Sequence, residues 1–156
     1  MRKQFFKTLS KLAKKDKGII FLTGDLGFGF MEEYQKRFPD QFINCGCIEQ
    51  SMLGIATGLA LSGKKPYVYS TTPFILMRAY EQLRDDIAYQ NNNVKLFGVS
   101  HSGFLGWSHN LEGTENEEDL LKNLPNINRY YPESEIELNK SMLREYKRKG
   151  PSFTKI

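Results

Sequence analysis

Cysteine, histidine and tryptophan are scarce in this chain of 156 residues, at two, two and one. Cys45 and Cys47 stand two apart, so on a strand they share a face, a poor arrangement for a disulfide. With no further cysteine, and histidines only at 101 and 109, no zinc-type ligand set is complete. Both thiols therefore read as reduced, partly buried groups of a cytoplasmic protein. No apolar run is long enough to span a bilayer. The opening Met1-Arg2-Lys3-Gln4-Phe5-Phe6-Lys7 has amphipathic-helix spacing and lacks the apolar core and small-residue cleavage site of a secretory leader. Familiar nucleotide signatures are missing as well. Gly27-Phe28-Gly29 has no third glycine, no lysine follows a glycine-rich loop in the Walker pattern, and no nucleophile elbow surrounds a serine.

Apolar residues make up 40% and charged residues 26%, the balance of a globular domain rather than a disordered chain. The length suits one domain over residues 1–156 with a sizeable core. The net charge of +4 gathers at the two ends, with Lys11, Lys14, Lys15 and Lys17 near the first helix and Arg144, Lys147, Arg148 and Lys149 near the last. No nucleic-acid-reading motif accompanies them, so they read as solvated helix faces with no nucleic-acid partner.

Hydrophobic spacing predicts alternating elements. A helix over residues 3–16 is followed by a buried strand, Ile19-Ile20-Phe21-Leu22-Thr23, and a glycine-punctuated loop from Gly24 to Phe30. A short helix over 31–37, a strand over 42–45 and a helix from Glu49 to Leu61 come next, the last closed by Gly63. Then follow a strand at 66–70, one long helix at 74–90, a strand at 94–99 and a polar loop from Ser100 to Gly113. A helix at 115–123, a strand at 127–131, a helix at 134–149 and a strand at 152–156 complete the pattern. Strand and helix alternate throughout. The expected fold is a three-layer α/β/α domain with a six-stranded, mostly parallel sheet. Ligands of such sheets bind beyond the carboxyl ends of the strands, which makes the post-strand segments 24–30, 46–49, 71–74 and 100–113 one rim.

Glu49 is the most informative residue on that rim. It opens an otherwise apolar, small-residue helix, Cys47-Ile48-Glu49-Gln50-Ser51-Met52-Leu53-Gly54-Ile55-Ala56-Thr57-Gly58. By helix position alone an acid there is a partner for the helix dipole. Between Ile48 and Met52 it can also share a proton with a bound base. The Gly/Ala face around Gly54, Ala56 and Gly58 permits close approach of another helix.

Five ordered motifs add a second line of argument. Thr23-Gly24-Asp25-Leu26-Gly27 comes first, then Phe38 to Gly46 running into Ile48-Glu49-Gln50-Ser51-Met52. Tyr69-Ser70-Thr71-Thr72-Pro73-Phe74 and Glu81-Gln82-Leu83-Arg84-Asp85-Asp86-Ile87 follow, and Gly106-Trp107-Ser108-His109 with Leu124-Pro125-Asn126-Ile127 ends the series. Together they resemble the pyrimidine-binding domain of transketolases, most closely the separately encoded C-terminal sections of split transketolases, over nearly the whole chain.

That resemblance implies thiamine diphosphate as cofactor. The cofactor does the hard organic step while the protein supplies position and electrostatics. Glu49 matches the glutamate that hydrogen-bonds N1′ of the aminopyrimidine, favouring the imino tautomer whose 4′-nitrogen takes the C2 proton. Phe74 matches the aromatic segment that stacks on the pyrimidine; core packing after a strand explains it equally well. Asp25 matches a cofactor-facing aspartate, with loop capping as its bland role. Arg2, His101 and His109 match substrate-side positions, and the two histidines equally fit surface loops. Arg84 also matches the family, though an ion pair with Glu81 or Asp85 accounts for it as well.

Departures from the family shape the expectation. The Gly-Asp-Gly loop and downstream asparagine that hold Mg²⁺ are absent, as is the usual third domain. Leu105-Gly106-Trp107 stands where the family has a substrate-contacting aspartate. The resemblance therefore implies the pyrimidine-binding subunit of a heteromeric enzyme that transfers a two-carbon ketol unit between sugars. Mg²⁺ and the diphosphate would be held by a separate partner subunit in a dimer of heterodimers. A two-subunit 2-oxo acid decarboxylase and a non-catalytic scaffold domain are the alternatives.

Overall fold

Helices and strands alternate along the computed structural model, which describes residues 1–100, 107–109, 111 and 116–156. They are α1 (Arg2–Lys15), β1 (Ile19–Thr23), α2 (Met31–Arg37), β2 (Phe42–Asn44), α3 (Glu49–Leu61), β3 (Lys65–Thr71), α4 (Tyr80–Gln82), β4 (Lys95–Val99), α5 (Glu117–Leu121), β5 (Asn128–Tyr130), α6 (Glu135–Lys147) and β6 (Ser152–Lys155). Single 3₁₀ turns lie at Pro39–Gln41 and Trp107–His109. The six strands form one sheet in the order β2-β1-β3-β4-β6-β5, and every pairing is parallel.

Period-two alternation sorts the strand side chains into two cores. Phe21, Tyr67, Tyr69 and Phe97 face α1, α2 and α6, where Phe5, Leu9, Tyr34, Leu138 and Met142 meet them. Leu22, Val68 and Leu96 face the other way, against Met52, Leu53 and Ala56 of α3 and against Ile75, Leu83 and Leu121. The first core is dense in rings, with Phe5 lying 4.7 Å from Phe97 and 5.2 Å from Tyr69 between centroids. Such contacts add to area burial when the rings are tilted rather than face to face.

Caps explain several boundaries. The Ser134 hydroxyl accepts from the Glu137 N–H at 3.2 Å, while the Glu137 carboxylate accepts from the Glu133 N–H at 2.9 Å. Asn116 caps α5 by accepting from the Asp119 N–H. Gly63, at φ +81°, ends α3 with its N–H on Ala60 O and that of Lys64 on Leu59 O, a left-handed termination that glycine makes without strain.

Two expectations need correction. The single helix expected over 74–90 is broken: Phe74–Arg78 and Leu83–Tyr89 take the wider π winding, with only α4 between them. The apolar stripe continues through both, so the sequence period does not register the change. Ala56 does not share an outward face with Gly54 and Gly58. It is fully buried in the core, and the glycines are exposed with open space where a Cβ would stand.

At the amino ends of β4 and β6 lies a buried charge cluster. The Lys95 ammonium donates to Gly150 O at 2.7 Å and Arg148 O at 3.2 Å, and reaches Glu145 Oε2 at 3.4 Å. Glu145 also accepts from Tyr130 Oη and from Arg148 Nε. Burial brings the Lys95 pKa down to about 8, against the opposing pull of Glu145.

Candidate active site

The carboxyl ends of β1 and β3 converge on Glu49. Its helix packs under β3, and the side chain is 1% exposed. Oε1 accepts from Ser70 Oγ at 2.9 Å, and Oε2 accepts from Arg78 Nη1 at 2.7 Å. The sequence surrounds this acid with apolar neighbours; the structure buries it but gives each oxygen a polar donor, one of them cationic. Ser70 follows Val68 on the α3 side of the sheet, so alternation from a core residue could have pointed to it. Arg78 lies 29 residues from Glu49 in sequence, and no local pattern links them.

Gly24 is what lets the carboxylate sit against the sheet. A Cβ at this position would stand 2.9 Å from Glu49 Oε1 and 3.2 Å from Ser70 Oγ. Its N–H donates to Tyr69 O, extending the β1–β3 pairing by one residue.

Phe74 lies beside the acid with its ring between two groups. The Arg78 guanidinium carbon stands 3.7 Å from the ring centroid on a cation–π contact. His109 approaches at 4.8 Å between centroids with an interplanar angle of 61°, and its Nδ1 lies 2.9 Å from Ser108 Oγ. The structure thus brings Glu49, Phe74 and His109 into one neighbourhood, with Arg78 and Ser70 as members that sequence reasoning did not place there.

The remaining expected residues are more dispersed. Asp25 is exposed at φ +57°, a left-handed position that Asp tolerates better than most residues. Asn44 locks it there: Nδ2 donates to Asp25 Oδ1 at 2.9 Å, and Asn44 Oδ1 accepts from the N–H groups of Asp25 and Gly46. Arg2 is exposed in the first turn of α1, on the opposite face of the sheet from α3. Burial raises the Tyr69 hydroxyl to about 12, and the Arg2 charge opposes that rise. His101 lies outside the described residues. Arg84 binds Asp85 through Nε at 2.8 Å and Nη2 at 3.2 Å, the ion-pair alternative.

A second polar run crosses the neighbouring strand ends. Thr72 Oγ1 lies 3.1 Å from Ser100 Oγ, Ser100 Oγ donates to Glu117 Oε1, and Lys155 Nζ holds the same oxygen at 2.8 Å. Thr71 Oγ1, one residue along β3 from Ser70, is buried without a hydrogen-bond partner among the described residues.

Comparison with known proteins gives one consistent answer. Residues 1–154 match the family described as "Transketolase, pyrimidine binding domain". A relative from Phocaeicola vulgatus, one of the subunits of an apulose-4-phosphate transketolase, is 39% identical over 135 residues, covering 84% of this chain and 42% of the relative. A Bacillus cereus 1-deoxy-D-xylulose-5-phosphate synthase is 37% identical over 133 residues, covering 83% of this chain and 20% of that protein. The chain therefore spans less than half the length of these relatives. A solved structure described as "Split gene transketolase, inactive beta4 tetramer" superimposes with a TM-score of 0.85 at 29% identity, covering 99% of this chain and 50% of that one. A Campylobacter jejuni transketolase shares the fold at TM-score 0.81, with 21% identity over 99% of this chain and 25% of its own. From its first helix through its last strand, the chain belongs to the family of transketolase pyrimidine-binding domains.

Proposed function

We propose that this chain is the pyrimidine-binding subunit of a two-chain thiamine-diphosphate-dependent enzyme that transfers a two-carbon ketol unit between sugars. The observation that carries the reading is the buried Glu49 carboxylate, poised between Ser70 and Arg78 beside the Phe74 ring. The residues present fit the cofactor's pyrimidine: an acid is desolvated at a helix start, an aromatic face stands next to it, and Gly24 keeps the floor clear of a side chain.

When bound, thiamine diphosphate supplies the carbanion-stabilising chemistry that no side chain can. Glu49 holds a proton at the pyrimidine N1′. Ser70, donating to Oε1, fixes the carboxylate's rotation so that Oε2 is the oxygen presented. Phe74 would support the ring by stacking, and Arg78, which now covers both the carboxylate and the Phe74 face, would have to vacate them for the cofactor to be held there. Asp25, held by Asn44, lines the cofactor side of the rim, while Arg2, His101 and His109 serve the phosphorylated or hydroxylated end of the substrate. A cytoplasmic location belongs to the same proposal. No helix among the described residues is long and apolar enough to cross a membrane.

A separate chain supplies the diphosphate and Mg²⁺ half of the site, in a dimer of heterodimers. Two relatives named as single subunits of a transketolase, and a β-chain tetramer described as inactive, support this division. The test is reconstitution with a diphosphate-binding partner, followed by a donor–acceptor assay. Ketol transfer from a ketose to an aldose is expected. Release of CO₂ from a 2-oxo acid without an acceptor would establish the decarboxylase instead, and no turnover with either would leave the scaffold reading.

A further inference from the structure

The α1–α2 side of the sheet, away from α3 and Glu49, carries a cleft of about 500 Å³. Its size falls in the range of small-molecule sites. One wall is a cationic stripe: Lys3, Lys7, Lys11 and Lys14 repeat at helical spacing along α1 and line it together. None of the four has a carboxylate partner among the described residues. Like charges one turn apart repel, so the stripe costs α1 stability that no direct ion pair among the described residues offsets. Across the cleft α2 presents Arg37 and a single carboxylate, Glu33, which Arg37 already holds at 3.4 Å.

The floor is aromatic. Phe6 and Phe30 lie nearly parallel, 5.6 Å apart at 13°, with buried Tyr34 beside them. A flat ring laid on Phe30 extends a stack that Phe6 already begins. Lys7 to Lys14 spans about 10 Å along the helix axis, short enough for their long side chains to converge on a chain of two or three phosphates. A solvated helix face accounts for the exposure of these lysines but not for a ring-floored cleft beneath them. We propose that the cleft binds a nucleoside polyphosphate, its base on Phe30 and its phosphates along the lysine stripe.

The site is also connected to the rim. A Cβ at Gly27, which stands at φ +99°, would come within 3.1 Å of Phe6 Cζ, so the ring that floors the cleft also props the loop bearing Asp25. This binding does not depend on the function proposed above, and it is tested without turnover.

Calorimetric titration of ATP into the full chain, in low salt without divalent cations, is expected to give a Kd below about 1 mM. Tripolyphosphate and adenosine alone are each expected to bind at least about tenfold more weakly. The double variant Lys7→Gln/Lys11→Gln, with an unchanged circular dichroism spectrum, is expected to lose at least about tenfold in ATP affinity. Phe30→Leu, which keeps an apolar side chain but removes the ring, is expected to lose at least about fivefold. No measurable ATP binding would overturn the proposal, as would wild-type affinity in the lysine double variant. Tripolyphosphate binding as tightly as ATP would reduce the cleft to an ionic stripe and overturn it. A short single-stranded oligonucleotide binding far more tightly than ATP would overturn it in favour of a nucleic-acid groove.

Discussion

Arg78 holds Glu49 through a 2.7 Å charge-assisted hydrogen bond while its guanidinium carbon lies 3.7 Å from the centre of the Phe74 ring. One cation therefore covers both the acceptor oxygen and the aromatic face that a pyrimidine needs. Arg78 is 43% exposed and can swing into water; Glu49, at 1%, is fixed. Under the proposed function, the pair would be a resting arrangement that keeps the buried carboxylate paired while no cofactor is bound.

Breaking the pair from the arginine side tests this. Arg78→Ala is expected to lower stability by about 1–3 kcal/mol, toward the lower end because water reaches the exposed guanidinium position. In a Glu49→Gln background the same change is expected to cost much less. Urea unfolding of the four proteins gives the coupling, expected at about 0.5–3 kcal/mol. Simple additivity would mean that the two side chains do not interact.

Glu49→Gln keeps the reach to Ser70 but removes the ionisable proton. In the assembled complex, hydrogen–deuterium exchange at the cofactor C2, followed by NMR, is expected to slow by about 10²–10⁴-fold. A mere dipole partner would cost about 0.3–1 kcal/mol of stability and leave exchange alone. Wild-type exchange in this variant would sink the catalytic assignment.

Gly24→Ala places a methyl group where Glu49 Oε1 and Ser70 Oγ now meet. The strand is expected to persist, with the carboxylate rotated off its present axis. Cofactor exchange is expected to fall while the circular dichroism spectrum stays native. An unaffected exchange rate would show that the site tolerates a displaced acid.

Lys95 gives a pH prediction. Its folded pKa, about 8, lies below the ordinary lysine value, so between these values the unfolded chain binds more protons than the folded one. Stability is therefore expected to rise with pH above about 8, by at most about 1.4 kcal/mol per pH unit. The rise ends near pH 10, because burial raises the Tyr34 and Tyr67 hydroxyls and favours the folded state only while they stay protonated. Lys95→Met is expected to abolish the rise without unfolding the domain, since Tyr130 and Arg148 still hold Glu145. Thermal melts from pH 7 to 10 measure both; a flat wild-type profile would contradict the assignment.

The outer face of α3 predicts assembly. Ile48, Ile55 and Leu61 are exposed there, and Gly58 has open space where a side chain would go. Gly58→Leu is expected to leave the isolated chain as stable or slightly more so, because glycine weakens a helix interior by about 0.5–1 kcal/mol. Sedimentation with the diphosphate-binding partner is expected to show a heterotetramer for the wild type and its loss for this variant. Equal assembly would remove α3 from the interface.

The sheet was legible because burial writes directly onto sequence. Ile19 to Thr23 and Lys95 to Val99 are buried along their whole length, and parallel strands covered on both faces show that as apolar runs, here Ile19 to Leu22 and Leu96 to Val99. Glu49 was legible because an acid at the mouth of an apolar helix is conspicuous. Its partners were not, since Arg78 reaches it through a π-wound segment whose extra residue per turn leaves the apolar stripe intact. Ala56 was misplaced for a related reason: in a helix apolar almost all round, composition does not say which side meets the sheet. Asp25 was seen but its lock was not, because Asn44 ends a different strand, 19 residues away.

The strand order has a kinetic consequence. β6 follows β5 in sequence yet lies between β4 and β5, pairing with both. During synthesis on the ribosome, residues 128–130 emerge with no edge to join, since the strand they need has not yet been made. The sheet closes only when residues 152–155 arrive. Until then β4 presents an open edge to the cell, and this last step, rather than the early helices, governs how long the nascent domain stays vulnerable to mispairing.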